Sequence, residues 1–309
     1  MSGLSSFLSE LADAYGAGDL ARFRAVYASG LRDPWLGPWV RLFDRAYPVR
    51  ALLDLCVELD RRIGAEGLSL ASRWLLDAWV PGWRGSVPAS TAAVLATEPV
   101  LIYGNHPSML TPFLVAGHVP RPDLRIVSAS FVPHLLPSYA PCAFPVELPY
   151  GKAWRWLRRG GLAQVLITAA LSRVHRGPPP EEAQARNRAS LALAADHLRG
   201  GGAVLIAPGG GGSRERPWRP GIGRILLALA DRPGERPVWL VPYRERGAGN
   251  REIRGALRRG RPLAPGRMPV EIAFGEPLLL SDLGALPPDP LRVARRLQDR
   301  YRSVFSSLR

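Results

Sequence analysis

The chain has 309 residues, enough for one large domain or two small ones with a sizeable core. Hydrophobic residues make up 47% and charged residues 22%, an ordinary globular composition that excludes a low-complexity or fibrous chain. The formal net charge of +15 is almost all arginine, Lys152 being the only lysine, and it expects anionic partners such as phosphates, acidic lipid surfaces, acidic carrier proteins or nucleic acid.

Residues 1 to about 90 read as helical. Leu4, Phe7, Leu8 and Leu11 mark one apolar face, and Leu20, Phe23, Val26 and Tyr27 another. Asp33-Pro34 and Gly37-Pro38 are breaks. Met1 to Tyr15 carries Glu10 and Asp13 and no basic leader, so it does not read as a signal peptide. Val49 to Ile63 is a stronger helix. Leu68 to Trp83 follows with Leu70, Trp74, Leu75, Trp79 and Trp83, a stripe that reads as core or as a face for a bilayer or acyl chain. Gly85 to Thr91 reads as a linker. Cys56 and Cys142 lie far apart, form no metal or redox spacing, and suggest two buried thiols in a reducing compartment.

An α/β part follows, expected as a mixed central sheet flanked by helices. Pro99 to Tyr103 is a short apolar run that reads as a buried strand, stopped by Gly104 and Pro107. His106 is thereby placed on the loop just past a strand end, the edge at which open α/β sheets bind ligands. With Ser108 and Thr111 close by, it can act as a general base. A loop histidine that only caps local backbone is the plain alternative. Pro112 to His118 begins a helix, Leu124 to Ser128 is a strand, Phe131 to Ala140 is irregular, and Cys142 to Leu148 is another strand.

Glu181 to Leu198 reads as a helix that ends in Arg199-Gly-Gly-Gly, and Ala203 to Ala207 as a short buried strand. Pro208-Gly209-Gly210-Gly211-Gly212-Ser213-Arg214-Glu215-Arg216 comes directly after it. The backbone amides of Gly209 to Gly212 can cradle a phosphate or an oxyanion, with Ser213, Arg214 and Arg216 adding contacts. A flexible glycine loop is the bland reading. It is no nucleotide P-loop, because no Gly-Lys-Ser/Thr ending is present. Val238 to Pro242 is a strand closed by proline, and Val270 to Phe274 a further strand. Pro290 to Leu308 is an amphipathic helix flanked by arginines, either packed on the domain or set against anionic head groups.

Several stretches in the same order together resemble the glycerolipid acyltransferases, the lysophosphatidic-acid acyltransferase superfamily. Asn105-His106-Pro107-Ser108 resembles their Asn-His-x-Ser-x-x-Asp block. The Pro-x-Gly-x-x-Ser order after the strand at 203–207 resembles their Phe-Pro-Glu-Gly-Thr-Arg-Ser block. Pro220-Gly221-Ile222-Gly223-Arg224 and Val238 to Pro242 resemble later ones, as does Val270 to Leu278. The resemblance covers about residues 85 to 280 and leaves residues 1–85 as an N-terminal helical region. Thr111 stands where the family has its Asp, Ala207 where it has Phe, Gly209 its Glu and Gly212 its Arg. Glu147 occupies the position of an arginine that contacts the acceptor's phosphate, and Lys152, Arg155, Arg158 and Arg159 nearby read either as substitutes or as a solvated basic face.

The resemblance implies an acyltransferase. It would move a fatty-acyl group from a thioester, on coenzyme A or an acyl carrier protein, to a hydroxyl of a lysophospholipid or related lipid acceptor. His106 is the implied base, with Thr111 beside it. Asn105, Ser108, Gly209, Gly210, Gly211, Gly212, Ser213 and Arg214 are the implied substrate-binding residues. No metal and no bound cofactor are implied, and acyl-CoA or acyl carrier protein enters as co-substrate. The expected partners are the thioester donor, the lipid acceptor and an anionic membrane surface, with the protein peripheral on the cytoplasmic face. An acyltransferase-fold protein that binds lipid or acyl chains without turnover is the alternative. Nucleic acid is not expected, because no recognition motif accompanies the charge.

Overall fold

The computed structural model describes residues 2–148, 177–212, 216–247, 249–263 and 270–306. Lys152, Arg155, Arg158, Arg159, Ser213 and Arg214 lie outside them.

Five helices come first: α1 Ser2–Gly16, α2 Leu20–Arg32, α3 Gly37–Ala46, α4 Val49–Glu66 and α5 Leu68–Trp79. The Asp19 side chain caps α2 by accepting from Arg22 N–H at 2.9 Å. Then come β1 Arg84–Ser86, α6 Ala89–Thr97, β2 Val100–Gly104, α7 Thr111–Ala116, β3 Leu124–Ala129, α8 Val132–Leu135 and β4 Ala143–Val146. The remaining elements are α9 Pro180–Arg199, β5 Ala203–Ile206, α10 Gly221–Asp231, β6 Trp239–Arg246, α11 Asn250–Arg259, β7 Glu271–Phe274, β8 Leu278–Leu279 and α12 Pro290–Val304.

The strands form one mixed sheet in the order β1-β7-β6-β2-β5-β3-β4, with β8 beside the start of β6. β6, β2, β5, β3 and β4 run parallel, whereas β7 and β8 run antiparallel to β6. Apolar side chains of the central strands go alternately to two cores. Val100 and Ile102 of β2 join one core, with Leu205 of β5 and side chains of α1, α4, α5 and α7. Leu101 and Tyr103 join the other, with Val204, Ile206 and side chains of α9, α10 and α12. A parallel sheet covered on both faces needs such uninterrupted apolar strands, which is why all of Val100 to Gly104 is buried. The first core runs without a break from the N-terminal helices into the sheet.

Several expectations are corrected. Gly85 to Thr91 is no linker: Arg84–Ser86 pairs with Glu271–Ala273 as an edge strand, and α6 starts at Ala89. Phe131 to Ala140 holds α8 and the start of a 3₁₀ turn over Pro137–Cys142. The strand expected to close at Pro242 continues to Arg246. Proline is tolerated there because Pro242 falls between two sets of partners. β8 pairs with Trp239 and Leu240, and β7 with Tyr243 to Arg246. Cys56 is buried, but Cys142 is only half-buried.

The stripe over Leu68 to Trp83 is divided: its three tryptophans are partly buried against the core, whereas Leu70 is 61% exposed. Leu75 and Leu76 are fully buried, and the Trp74 and Trp83 rings lie under Arg62 and Arg73 at 4.4 and 4.6 Å. A cluster of open apolar side chains lies around α3. Trp35, Trp39 and Leu42 are 86%, 72% and 59% exposed. No described helix is long and apolar enough to cross a membrane.

Candidate active site

The chain leaves β2 towards β3 and β4 on one side. It returns through β5, which fills the place next to β2, and then crosses to β6 on the other side. The loops after β2 and β5 therefore meet at the carboxyl end of adjacent parallel strands, where the direction of winding reverses. Such crevices collect ligands in open α/β sheets.

His106 and the glycine loop occupy this place together. Gly212 N–H donates to the His106 carbonyl at 2.8 Å. A methyl group at Gly211 would sit 3.4 Å from His106 Cδ2 and 3.6 Å from Nε2, so the Nε2 edge of the ring faces the loop. The opposite nitrogen, Nδ1, is buried and has no hydrogen-bond partner among the described residues. Burial lowers the His106 pKa to about 4, against a smaller upward pull from the Ser108 backbone. At neutral pH the ring is uncharged and able to accept a proton.

The glycines are needed for conformation at two points: Gly210 has φ +68° and Gly212 φ +143°. The loop is less open than a bare run of amides suggests. Gly210 N–H donates to the Ala207 carbonyl at 3.0 Å and Gly212 N–H to His106, so two of the expected donors are occupied. Gly209 and Gly211 are the loop amides outside these two bonds. The returning chain is tied down by Gln298 of α12. Its amide donates to the Arg216 carbonyl at 2.9 Å, and its oxygen accepts from Trp218 N–H at 3.0 Å.

The remaining expected residues are structural in their contacts. Asn105 clamps β6: its Nδ2 donates to the Glu245 carbonyl at 2.7 Å, and its Oδ1 accepts from Glu245 N–H at 2.8 Å. Ser108 and Thr111 are buried against each other. Ser108 N–H donates to the Thr111 hydroxyl at 3.1 Å, and the two hydroxyls lie 3.2 Å apart. Neither presents a group to solvent.

The cleft has walls that were not expected from the sequence. Beside Asn105, His106 and the glycine loop it is lined by Arg216, Trp218, Arg244, Tyr301, Arg302 and Phe305. Arg244 is fixed by donating to the Phe305 carbonyl at 2.9 Å. The Trp218 and Tyr301 rings stand 5.3 Å apart and Tyr301 and Phe305 5.1 Å apart. An aromatic floor with arginines around it suits an amphiphilic anion, apolar on one side and phosphorylated on the other. The described residues hold no group of three or more His, Cys, Asp or Glu arranged to bind a metal ion.

Fold and site thus define an α/β protein with a histidine and a glycine loop at the carboxyl end of its central strands. The chain matches no family model and no curated protein.

Proposed function

We propose that the protein is an acyltransferase, a divergent member of the lysophosphatidic-acid acyltransferase superfamily. It takes an acyl thioester as donor and a lipid hydroxyl as acceptor. The observation that carries this reading is the placement of His106 Nε2 beside the glycine loop, locked by the 2.8 Å bond between Gly212 N–H and the His106 carbonyl. Nε2 takes the proton of the acceptor hydroxyl as its oxygen attacks the thioester carbonyl. The Gly209 and Gly211 amides stabilise the oxyanion. Collapse breaks the carbon–sulfur bond, and the thiolate leaves with the proton that His106 held. Arg216, Arg244 and Arg302 attract a phosphate on donor or acceptor.

The test is thioester consumption by the purified chain with acyl-CoA and acyl carrier protein as donors and lysophospholipid or glycerol phosphate as acceptors. Acceptor-dependent thiol release supports the reading. Acyl binding without thiol release favours the second reading, a binding protein on the same fold. Thr111 and Gly209, where the resemblance expects acids, are what motivates it.

The same reading makes the protein peripheral on an anionic membrane, with the α3 region as the contact. Trp35, Trp39 and Leu42 are exposed there beside Arg32, Arg41 and Arg45. Indole rings with arginines around them suit the interface between head groups and acyl chains. Co-sedimentation with anionic vesicles is expected at low salt. It should weaken as salt screens the arginines, and drop severalfold in Trp35→Ala/Trp39→Ala. Equal sedimentation of parent and double variant would move the contact elsewhere.

A further inference from the structure

Two residues past the Gly104–Tyr243 pair stand His106, on the loop after β2, and Glu245, on β6. Glu245 lies on β6 beyond Pro242, on the same face of the strand as Val241 and Tyr243, the face that α7 covers. It is 1% exposed, and both carboxyl oxygens are buried without a hydrogen-bond partner among the described residues. Its backbone is clamped on both sides by the Asn105 amide, so the side chain cannot drift from the histidine loop. An unpaired buried carboxyl is costly in general and persists only where something compensates it. His106 Nδ1 is the other buried polar atom of this loop without a partner. Thr111 is bonded to Ser108, two residues past His106. It is also the side chain that pulls the Glu245 pKa down against burial.

We propose that Glu245 is the acid partner of His106, a positioning residue on β6 that acts through the Ser108–Thr111 hydroxyl pair and takes the part of the carboxyl absent from the histidine loop. This rests on the acyltransferase reading for its catalytic meaning but not for its physics. Burial raises the Glu245 pKa to about 8, opposed by Thr111, while burial lowers that of His106 to about 4. Between these values Glu245 holds a proton and the His106 ring is neutral, and above about 8 the carboxyl is ionised. Once ionised, Glu245 favours the imidazolium that forms as His106 takes the acceptor's proton. The other charged or titratable groups around Glu245 are Tyr243, Arg244 and Arg246 on its own strand and Glu271 on β7. Glu271 is engaged by Arg246 at 3.0 Å, and Arg244 points to the Phe305 carbonyl.

The test is the ring titration of His106 by NMR in the full chain, assigned by loss of its signal in His106→Ala. In the parent, the signal should show a second inflection near pH 8 in addition to the low one. Glu245→Gln, which keeps the shape of the protonated acid, should abolish the upper inflection. A parent signal with one inflection near pH 4 and nothing near 8 overturns the proposal without any variant. So do superimposable curves from parent and Glu245→Gln. In turnover, kcat/KM of the parent should rise through pH 8, and Glu245→Gln should lose that rise, with kcat down tenfold or more and KM within about twofold. Adding Thr111→Asp to Glu245→Gln should return part of the rate, because it moves the carboxyl back to the loop. A coupled titration with no turnover in any form would refute the acyltransferase reading and leave the pair standing. Turnover that needs His106 but is indifferent to Glu245 would do the reverse.

Discussion

If the protein is the acyltransferase proposed above, His106→Ala should lower the acyl-transfer rate by about 10²- to 10⁴-fold, the range that a positioned general base supplies. Fold should survive the change. The His106 ring is partly exposed, and the loop is held by other groups: the His106 carbonyl, the Asn105 amide and the Ser108–Thr111 pair. The loss should fall on kcat more than on KM, because proton acceptance matters only as the acceptor attacks. The pH profile gives an independent check. His106 has its pKa lowered to about 4, so in Glu245→Gln, which lacks the carboxyl's own step near 8, the rate should hold as pH falls from 7 to 5 and then collapse as the ring takes a proton. Stability should follow the same sign. The folded pKa lies below the ordinary value of about 6.5, so the neutral ring's contribution is complete above that value and lost as pH falls through 4. His106→Ala should therefore also blunt acid unfolding in that window. A variant that retains more than a third of the parent rate would remove His106 from the chemistry.

Gly104→Ala should unfold the protein at a markedly lower temperature and abolish the site with it. An added methyl group would meet the Tyr243 carbonyl at 2.1 Å and the Tyr243 ring at 2.9 Å. The carbonyl cannot retreat. Tyr243 is paired with Gly104 on one side and Phe274 on the other, and its hydroxyl donates to the Asn105 carbonyl at 2.8 Å. Overpacking that must move backbone costs about 3 kcal/mol or more. For a chain this size that corresponds to a fall in Tm of roughly 6–12 °C. Gly3→Ala is the matching control: an added methyl there meets nothing within 4 Å, and alanine favours a helix, so no loss is expected. A Gly104→Ala melt superimposable on that of the parent would mean that β2 and β6 do not approach as described.

The site's centre was legible in the sequence because its signals are local. An apolar run halted by Gly104 and Pro107 marks a strand end, and four consecutive glycines mark a second loop. Their meeting depends on β5 filling the place beside β2, which a helix–strand alternation already suggests. Glu245 was not legible. A proline at 242 reads as the end of a strand, and Tyr-Arg-Glu-Arg reads as a solvated polar stretch. Only the split of β6 between β8 and β7 keeps the strand going and turns residue 245 inward. β1 was missed for a different reason. All three of its residues are exposed, so its backbone pairing leaves no apolar pattern to read. Tyr301 and Phe305 of the cleft's aromatic wall come from α12 and the residue that caps it, a helix whose stripe reads as a packing face but carries no sign of what it packs against.

The share of the cleft contributed by α12 bears on when in its life the protein can work. Tyr301, Arg302 and Phe305 leave the ribosome nearly two hundred residues after His106, a delay on the order of 10–40 s at ordinary elongation rates. During that time the nascent chain carries its histidine and, later, its glycine loop with no aromatic wall and no anchor for Arg216 and Trp218, since Gln298 is also still to come. Synthesis thereby acts as a timer that withholds the finished cleft until the whole sheet has been made.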